Sequence, residues 1–122
     1  GLAQAHARAE TLRYMGFRMR TAMSQMRMPG PEALTLKLAY ANHWILTAEL
    51  ATEILGAGAM LWADDAPEDN QWGQHLLGQF AIRIGGGTDE IQHNIIAERG
   101  LGLPREPQLD KDMPWRVSNK VG

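Results

Sequence analysis

The chain has 122 residues, 44% hydrophobic and 21% charged, with a formal net charge of −2 at pH 7, the proportions of one soluble globular domain. Its Arg and Lys residues are scattered among acids and create no extended positive field, which argues against nucleic acid as a partner. No apolar run approaches the roughly 20 residues needed to span a bilayer, the opening GLAQAHARAE lacks the apolar core of a signal peptide, and cysteine is absent, so membrane insertion, disulfides and thiolate metal sites are not expected and the cytoplasm is the expected location.

Gly1 stands without Met directly on a helical pattern, which reads as the continuation of an upstream portion. From about Ala3 to Met26 the residues Leu12, Met15, Met19, Ala22, Met23 and Met26 recur at three- and four-residue steps, predicting an amphipathic helix whose Met stripe fills core space. Met28-Pro29-Gly30-Pro31 stops it, and Pro31 followed by Glu32 opens a second helix. This helix runs to about Leu55, with Leu34, Leu38, Ala41, Ile45, Ala48 and Leu55 on one face and Leu36, Tyr40, Trp44 and Ile54 widening the apolar surface, the pattern of a buried central helix.

Gly56-Ala57-Gly58 ends that helix, and the acidic, proline-containing segment from Trp62 to Asn70 is expected to be a loop. Its acids lack the alternating spacing and central glycine of a calcium loop. A third helix is predicted over Gln71 to Ile84 from Trp72, Leu76, Leu77, Phe80 and Ile84, stopped by Gly85, Gly86 and Gly87. Thr88 can cap the next helix, Asp89 and Glu90 suit its first turn, and Ile91, Ile95 and Ile96 carry its stripe to Gly100. Beyond Gly100 the chain has several prolines and no period. The expected fold is therefore all-α, a four-helix up-and-down bundle over residues 1–104 with an irregular tail over 105–122.

Chemistry-bearing candidates are few. His6, His43, His75 and His93 form no metal-ligand spacing, and Ser24 and Ser118 have no nucleophile context. The site of interest is Gly85-Gly86-Gly87-Thr88. Residues without Cβ let backbone approach a ligand, and the following helix offers unpaired N–H groups and a positive dipole end, suited to an anionic or carbonyl-bearing ligand. It lacks the Gly-Lys-Ser/Thr ending of a Walker loop, and it is no dinucleotide fingerprint because it joins two helices instead of following a strand. Read from the residues alone, it is either a tight connection or a ligand site.

The longer string GGGTDEIQHNIIAERGLGLPREP, Gly85 to Pro107, resembles the stretch that closes bacterial acyl-CoA dehydrogenases. PGPEALTLK, Pro29 to Lys37, leading into ATEILGAGAM, Ala51 to Met60, is similar to that family's penultimate long helix and its glycine-containing end. The resemblance implies the carboxyl-terminal helical bundle of a flavoenzyme in which FAD lies in a cleft and across a subunit interface. The implied reaction is α,β-dehydrogenation of an acyl-CoA thioester to the trans-2-enoyl-CoA, with electron-transferring flavoprotein as acceptor and a homo- or hetero-oligomeric assembly.

By the same resemblance, Gly86 and Gly87 are substrate-binding positions, and Thr88, Asp89 and Glu90 line the FAD. Glu53, Gly56 and Ala57 match a strip that touches the FAD of a neighbouring subunit. The sequence departs from the family at Glu53, usually glutamine, at Ala57, usually the second glycine, and at His93, where arginine is common. The largest departure is Gly86, which stands where many members carry the catalytic glutamate, so no catalytic base is assigned within this chain. Glycine there leaves room for a bulky or branched acyl group, such as a steroid side chain, and the Gly86 N–H is implied to polarise the thioester carbonyl. The 122 residues alone are expected to be inactive. The alternatives are a non-catalytic partner subunit of a heteromeric acyl-CoA dehydrogenase and an unrelated helical interaction module.

Overall fold

A computed structural model describes residues 1–62, 65–105 and 107. The expected all-α architecture holds: α1 (Leu2–Ser24), α2 (Glu32–Leu55), α3 (Gln71–Ile84) and α4 (Asp89–Ile95) follow in chain order, with no strand among the described residues. Ala63, Asp64, Ser118 and most of the tail lie outside the described residues.

α2 is the central element, packed against α1, α3 and α4. Side-chain contacts set the directions. Gly1 lies against Leu50 while Arg18 pairs with Glu32, so α1 runs antiparallel to α2. Lys37 meets Arg83 and Gly87 while Trp44 meets His75, so α3 also runs antiparallel to α2. α4 crosses the amino-terminal end of α2 and delivers Gly100 beside Leu34 and Pro31.

The buried apolar side chains are Ala41, Ala48 and Ala51, at 0%, 0% and 8% exposure, all on α2. Small residues let the neighbouring backbones come close, and packing is then shared among half-buried Leu, Ile and Trp side chains on their flanks. Between α2 and α3 the contact is aromatic and polar. Trp44 stacks on His75 with centroids 4.1 Å apart and donates its Nε1–H to the His75 carbonyl at 2.7 Å. The Thr47 hydroxyl meets His75 Nε2 at 2.8 Å, and Gly78 allows the indole to approach, since a Cβ there would come within 3.2 Å of it.

Two differences from the sequence reading concern helix ends. α1 stops at Ser24 instead of Met26, because Met26 itself takes φ +54 and closes a turn in which Arg27 N–H donates to Ala22 O and Met26 N–H to Met23 O. That is the glycine-type helix stop built with a methionine, at a conformational cost of about 1 kcal/mol. The last helix changes pitch: α4 is regular only to Ile95, and Ile96–Gly100 forms a π-helical turn. The loop expected before α3 closes in a 3₁₀ turn, Pro67–Asn70, whose last residue is buried at φ +61. Asn tolerates that left-handed conformation better than most residues.

α3 also presents apolar side chains away from α2: Leu77, Phe80 and Ile84 are exposed, as are Tyr14 and Phe17 on α1. No helix among the described residues is long and apolar enough to cross a membrane.

Ala48→Leu has no space to enter, and is expected to lower stability by about 1–3 kcal/mol in urea unfolding of the full-length protein. A pH effect arises from His75, whose pKa is depressed first by burial, opposed by a hydrogen bond between its ring and the Trp44 main chain, and depressed further by His43. The unfolded chain therefore binds the proton more readily. His75 costs no stability well above about pH 6.5 and destabilises progressively as pH falls below that value. His75→Gln should flatten the stability–pH curve between roughly pH 7 and 5 relative to wild type, and parallel curves would contradict this assignment.

Candidate functional site

The connection between α3 and α4 is built almost entirely from backbone. Gly85 N–H still bonds to Ala81 O at 2.8 Å, then Gly86 and Gly87 take φ +72 and +99 in succession. Both values lie where side chains are strained, so glycine is required twice. The surroundings of the two differ. A Cβ on Gly87 would meet Gln92 and Ile91 at 3.1 and 3.2 Å, whereas a Cβ on Gly86 would meet nothing within 4 Å. Gly87 is packed, and Gly86 borders open space.

Thr88 then caps α4 as expected: its extended backbone (φ −63, ψ 167) lets Oγ1 accept from Ile91 N–H at 3.4 Å, and its carbonyl accepts from Gln92 N–H at 2.9 Å. Glu90 is exposed on the first turn. Its carboxyl is held below the ordinary range first by its own backbone N–H and next by the Thr88 hydroxyl, so it is firmly anionic at neutral pH.

Asp89 has a different setting. Only 9% exposed, it turns inward and receives Arg83 Nε and Nη2 on one oxygen, at 2.9 and 2.6 Å. Its other oxygen is buried without a hydrogen bond, 3.9 Å from the Lys37 ammonium. Lys37 in turn donates to the Gly87 carbonyl at 2.6 Å and the Arg83 carbonyl at 3.1 Å. Gln92, also buried, donates Nε2–H to the Gly86 carbonyl at 2.7 Å. The glycine carbonyls are thus gripped from inside by α2 and α4. The Gly86 and Thr88 N–H groups find no acceptor among the described residues. Two unpaired donors on either side of a left-handed glycine, at a helix start, are a cradle for an oxygen bearing partial or full negative charge.

Lys37, Arg83 and Gln92 were not singled out from the sequence. One signal was there: Lys37 stands three residues after Leu34 and four before Ala41, on the apolar face of α2, where a cation needs anionic or carbonyl partners.

The second predicted group lies at the other end of α2. Gly56 closes the helix at φ +54 with nothing within 4 Å of a Cβ, and Glu53 and Ala57 are exposed beside it. Glu53 lies sixteen positions along the helix from Lys37, about 24 Å along the axis. The chain therefore brings Gly86 to Glu90 together at the α3–α4 turn and holds Glu53, Gly56 and Ala57 apart from them, at the far end of α2. Among the described residues no group of three His, Asp or Glu side chains could hold a metal ion.

Residues 1–101 match the family description "Acyl-CoA dehydrogenase, C-terminal domain". The chain therefore belongs to the acyl-CoA dehydrogenase family, and its helices are those of the C-terminal domain. Among curated relatives it is similar to acyl-CoA dehydrogenase IpdE1 of Mycobacterium tuberculosis, 42% identical over 81 residues that cover 66% of this chain and 20% of the relative. The same fold occurs in the ChsE4-ChsE5 complex from Mycobacterium tuberculosis, with TM-score 0.76 and 30% identity over 86% of this chain and 28% of that one. It also occurs in the Tcur3481-Tcur3483 steroid ACAD, with TM-score 0.77 and 27% identity over the same shares. The chain thus spans about a fifth of the curated relative's length.

Asp89→Asn removes the anion that Arg83 and Lys37 share. Because Arg83 is half exposed, the loss should be moderate, about 1–2 kcal/mol, read as a lowered Tm of the full-length protein. An unchanged Tm would mean that the pair contributes nothing to the turn.

Proposed function

We propose that this chain is the flavin- and thioester-facing helical part of an FAD-dependent acyl-CoA dehydrogenase, which converts an acyl-CoA to its trans-2-enoyl-CoA. The observation that carries the reading is the pair of N–H groups without an acceptor among the described residues, at Gly86 and Thr88, on a turn whose carbonyls are gripped from inside. As the α-proton leaves to a carboxylate base, negative charge grows on the thioester oxygen. A preformed N–H donor at that oxygen stabilises the charge without reorganising. FAD, when bound, supplies the two-electron acceptor for the hydride leaving the β-carbon. Thr88 and Glu90 would face it from the α4 start, where donors and an anionic side chain are both exposed, while Asp89 contributes through its backbone, its carboxylate being taken by Arg83.

Glu53, Gly56 and Ala57 would serve a second FAD, that of a neighbouring subunit. Their place at the far end of α2, about 24 Å along its axis from Lys37, supports this division, and the open space beside Gly56 leaves backbone accessible there. Both groups fit parts of a cofactor; neither is assigned the catalytic base, because Gly86 stands at its usual position.

The space beside Gly86 supports a bulky or ring-bearing acyl group, and likeness to a structure described as a steroid ACAD supports the same class. Electron-transferring flavoprotein is the proposed acceptor. A heteromeric assembly is favoured over a homomeric one because the ChsE4-ChsE5 structure is itself a complex of two named subunits. Gly86 also favours a second reading, in which this subunit lacks a base altogether and serves assembly and FAD contact.

The test is anaerobic mixing of the full-length, FAD-loaded protein, alone and with its co-purifying subunit, with straight-chain and steroid side-chain acyl-CoA thioesters. Flavin bleaching with formation of the trans-2-enoyl-CoA is expected. Turnover seen only with the second subunit selects the second reading, and a protein that purifies colourless and takes up no flavin overturns both. In the active assembly, Gly86→Glu should lower kcat/KM by roughly tenfold or more, since a side chain at φ +72 is strained and fills the acyl space. Improved turnover would show that the base belongs at this position.

A further inference from the structure

We infer that Lys37 is a positioning residue which locks the glycine turn on both sides of Gly86, through the Arg83 and Gly87 carbonyls, so that the Gly86 N–H faces the thioester carbonyl and the Thr88 N–H faces the flavin. This deepens the acyl-CoA reading and rests on it. Gly86 and Gly87 are the softest pair in the chain's candidate site, with no side chain to restrict φ or ψ and both at positive φ. Left to itself such a turn samples many peptide orientations. Across a trans peptide the C=O and N–H point in opposite directions, so holding the Gly87 carbonyl at 2.6 Å from Lys37 Nζ aims the Thr88 N–H away from α2. Gln92 does the same for the preceding peptide, holding Gly86 O at 2.7 Å while Gly87 N–H returns to Ile84 O at 3.2 Å.

The ammonium is suited to this task in a way that a neutral side chain is not. It carries three donors, and the structure gives it two carbonyls, Gly87 and Arg83, with the Asp89 carboxylate 3.9 Å away. Its side chain is 25% exposed, so the charge is partly withdrawn from water and Asp89 compensates it. Lys37 comes from the central helix, fifty residues from Gly87, and so ties the turn to the helix against which α1, α3 and α4 all pack.

The experiment uses the full-length, FAD-loaded protein with its native subunits and trans-cinnamoyl-CoA, a thioester whose absorption moves to longer wavelength when its carbonyl is polarised. Wild type should give this red shift. Lys37→Met should lose at least half of it with FAD content retained, and kcat should fall about tenfold or more while KM changes less than about threefold, the split expected when only a transition-state contact is lost. A purely structural lysine would lower Tm and leave the band and kcat in place, and a full red shift in Lys37→Met overturns the proposal. If that variant does not load FAD, Lys37→Arg decides. Its planar fork cannot reproduce the single-point ammonium geometry, so a reduced shift supports the proposal and a wild-type shift overturns it. A wild-type protein that gives no shift at all overturns the acyl-CoA reading, and this inference with it.

Discussion

Close approach to α2 is the constraint on which the rest of the structure depends. Ala41, Ala48 and Ala51 leave room for neighbouring helices to come in on several sides, and the larger apolar residues on the flanks of α2 are shared among those contacts. Because α1 and α3 both run antiparallel to it, the α1–α2 and α2–α3 connections lie at opposite ends, and the chain leaving α3 arrives at the amino-terminal end of α2. There Lys37 is within reach of the glycine turn. The site is thus a consequence of where the central helix begins, and its ligand-facing surface is main chain because every nearby charged side chain except Glu90 is turned toward another part of the fold.

The helices and the α3–α4 junction were legible from local chemistry. Thr88 before Asp89 and Glu90 marks a helix start, three glycines mark the stop before it, and Pro29 to Pro31 separates α1 from α2; all three signals involve residues adjacent in sequence. What could not be read was set by contacts across long separations. The direction of Asp89 depends on Arg83 and Lys37. Resemblance placed Asp89 among the FAD-lining residues, while packing gives its carboxylate to Arg83. Met26 as a left-handed stop was equally invisible, since its conformation is imposed by the reversal into Pro29 and not by any preference of methionine.

The polar contact between α2 and α3 was also outside the reach of periodicity. Trp44 fits an apolar stripe and so was expected in packing, but its partner is a histidine, joined by a stacked ring and a threonine hydroxyl. A helical pattern reports which face is buried and says little about what meets it.

α2 has one further property as a rod of 24 residues, about 36 Å long. It carries Lys37 near one end and Glu53 near the other, so the angle between the two groups about its axis is fixed by the number of residues between them. One inserted or deleted residue in that interval would move one group by only about 1.5 Å but swing it by about 100° around the helix. A change of length within 38–52 therefore alters this angle, whereas a substitution there leaves it in place.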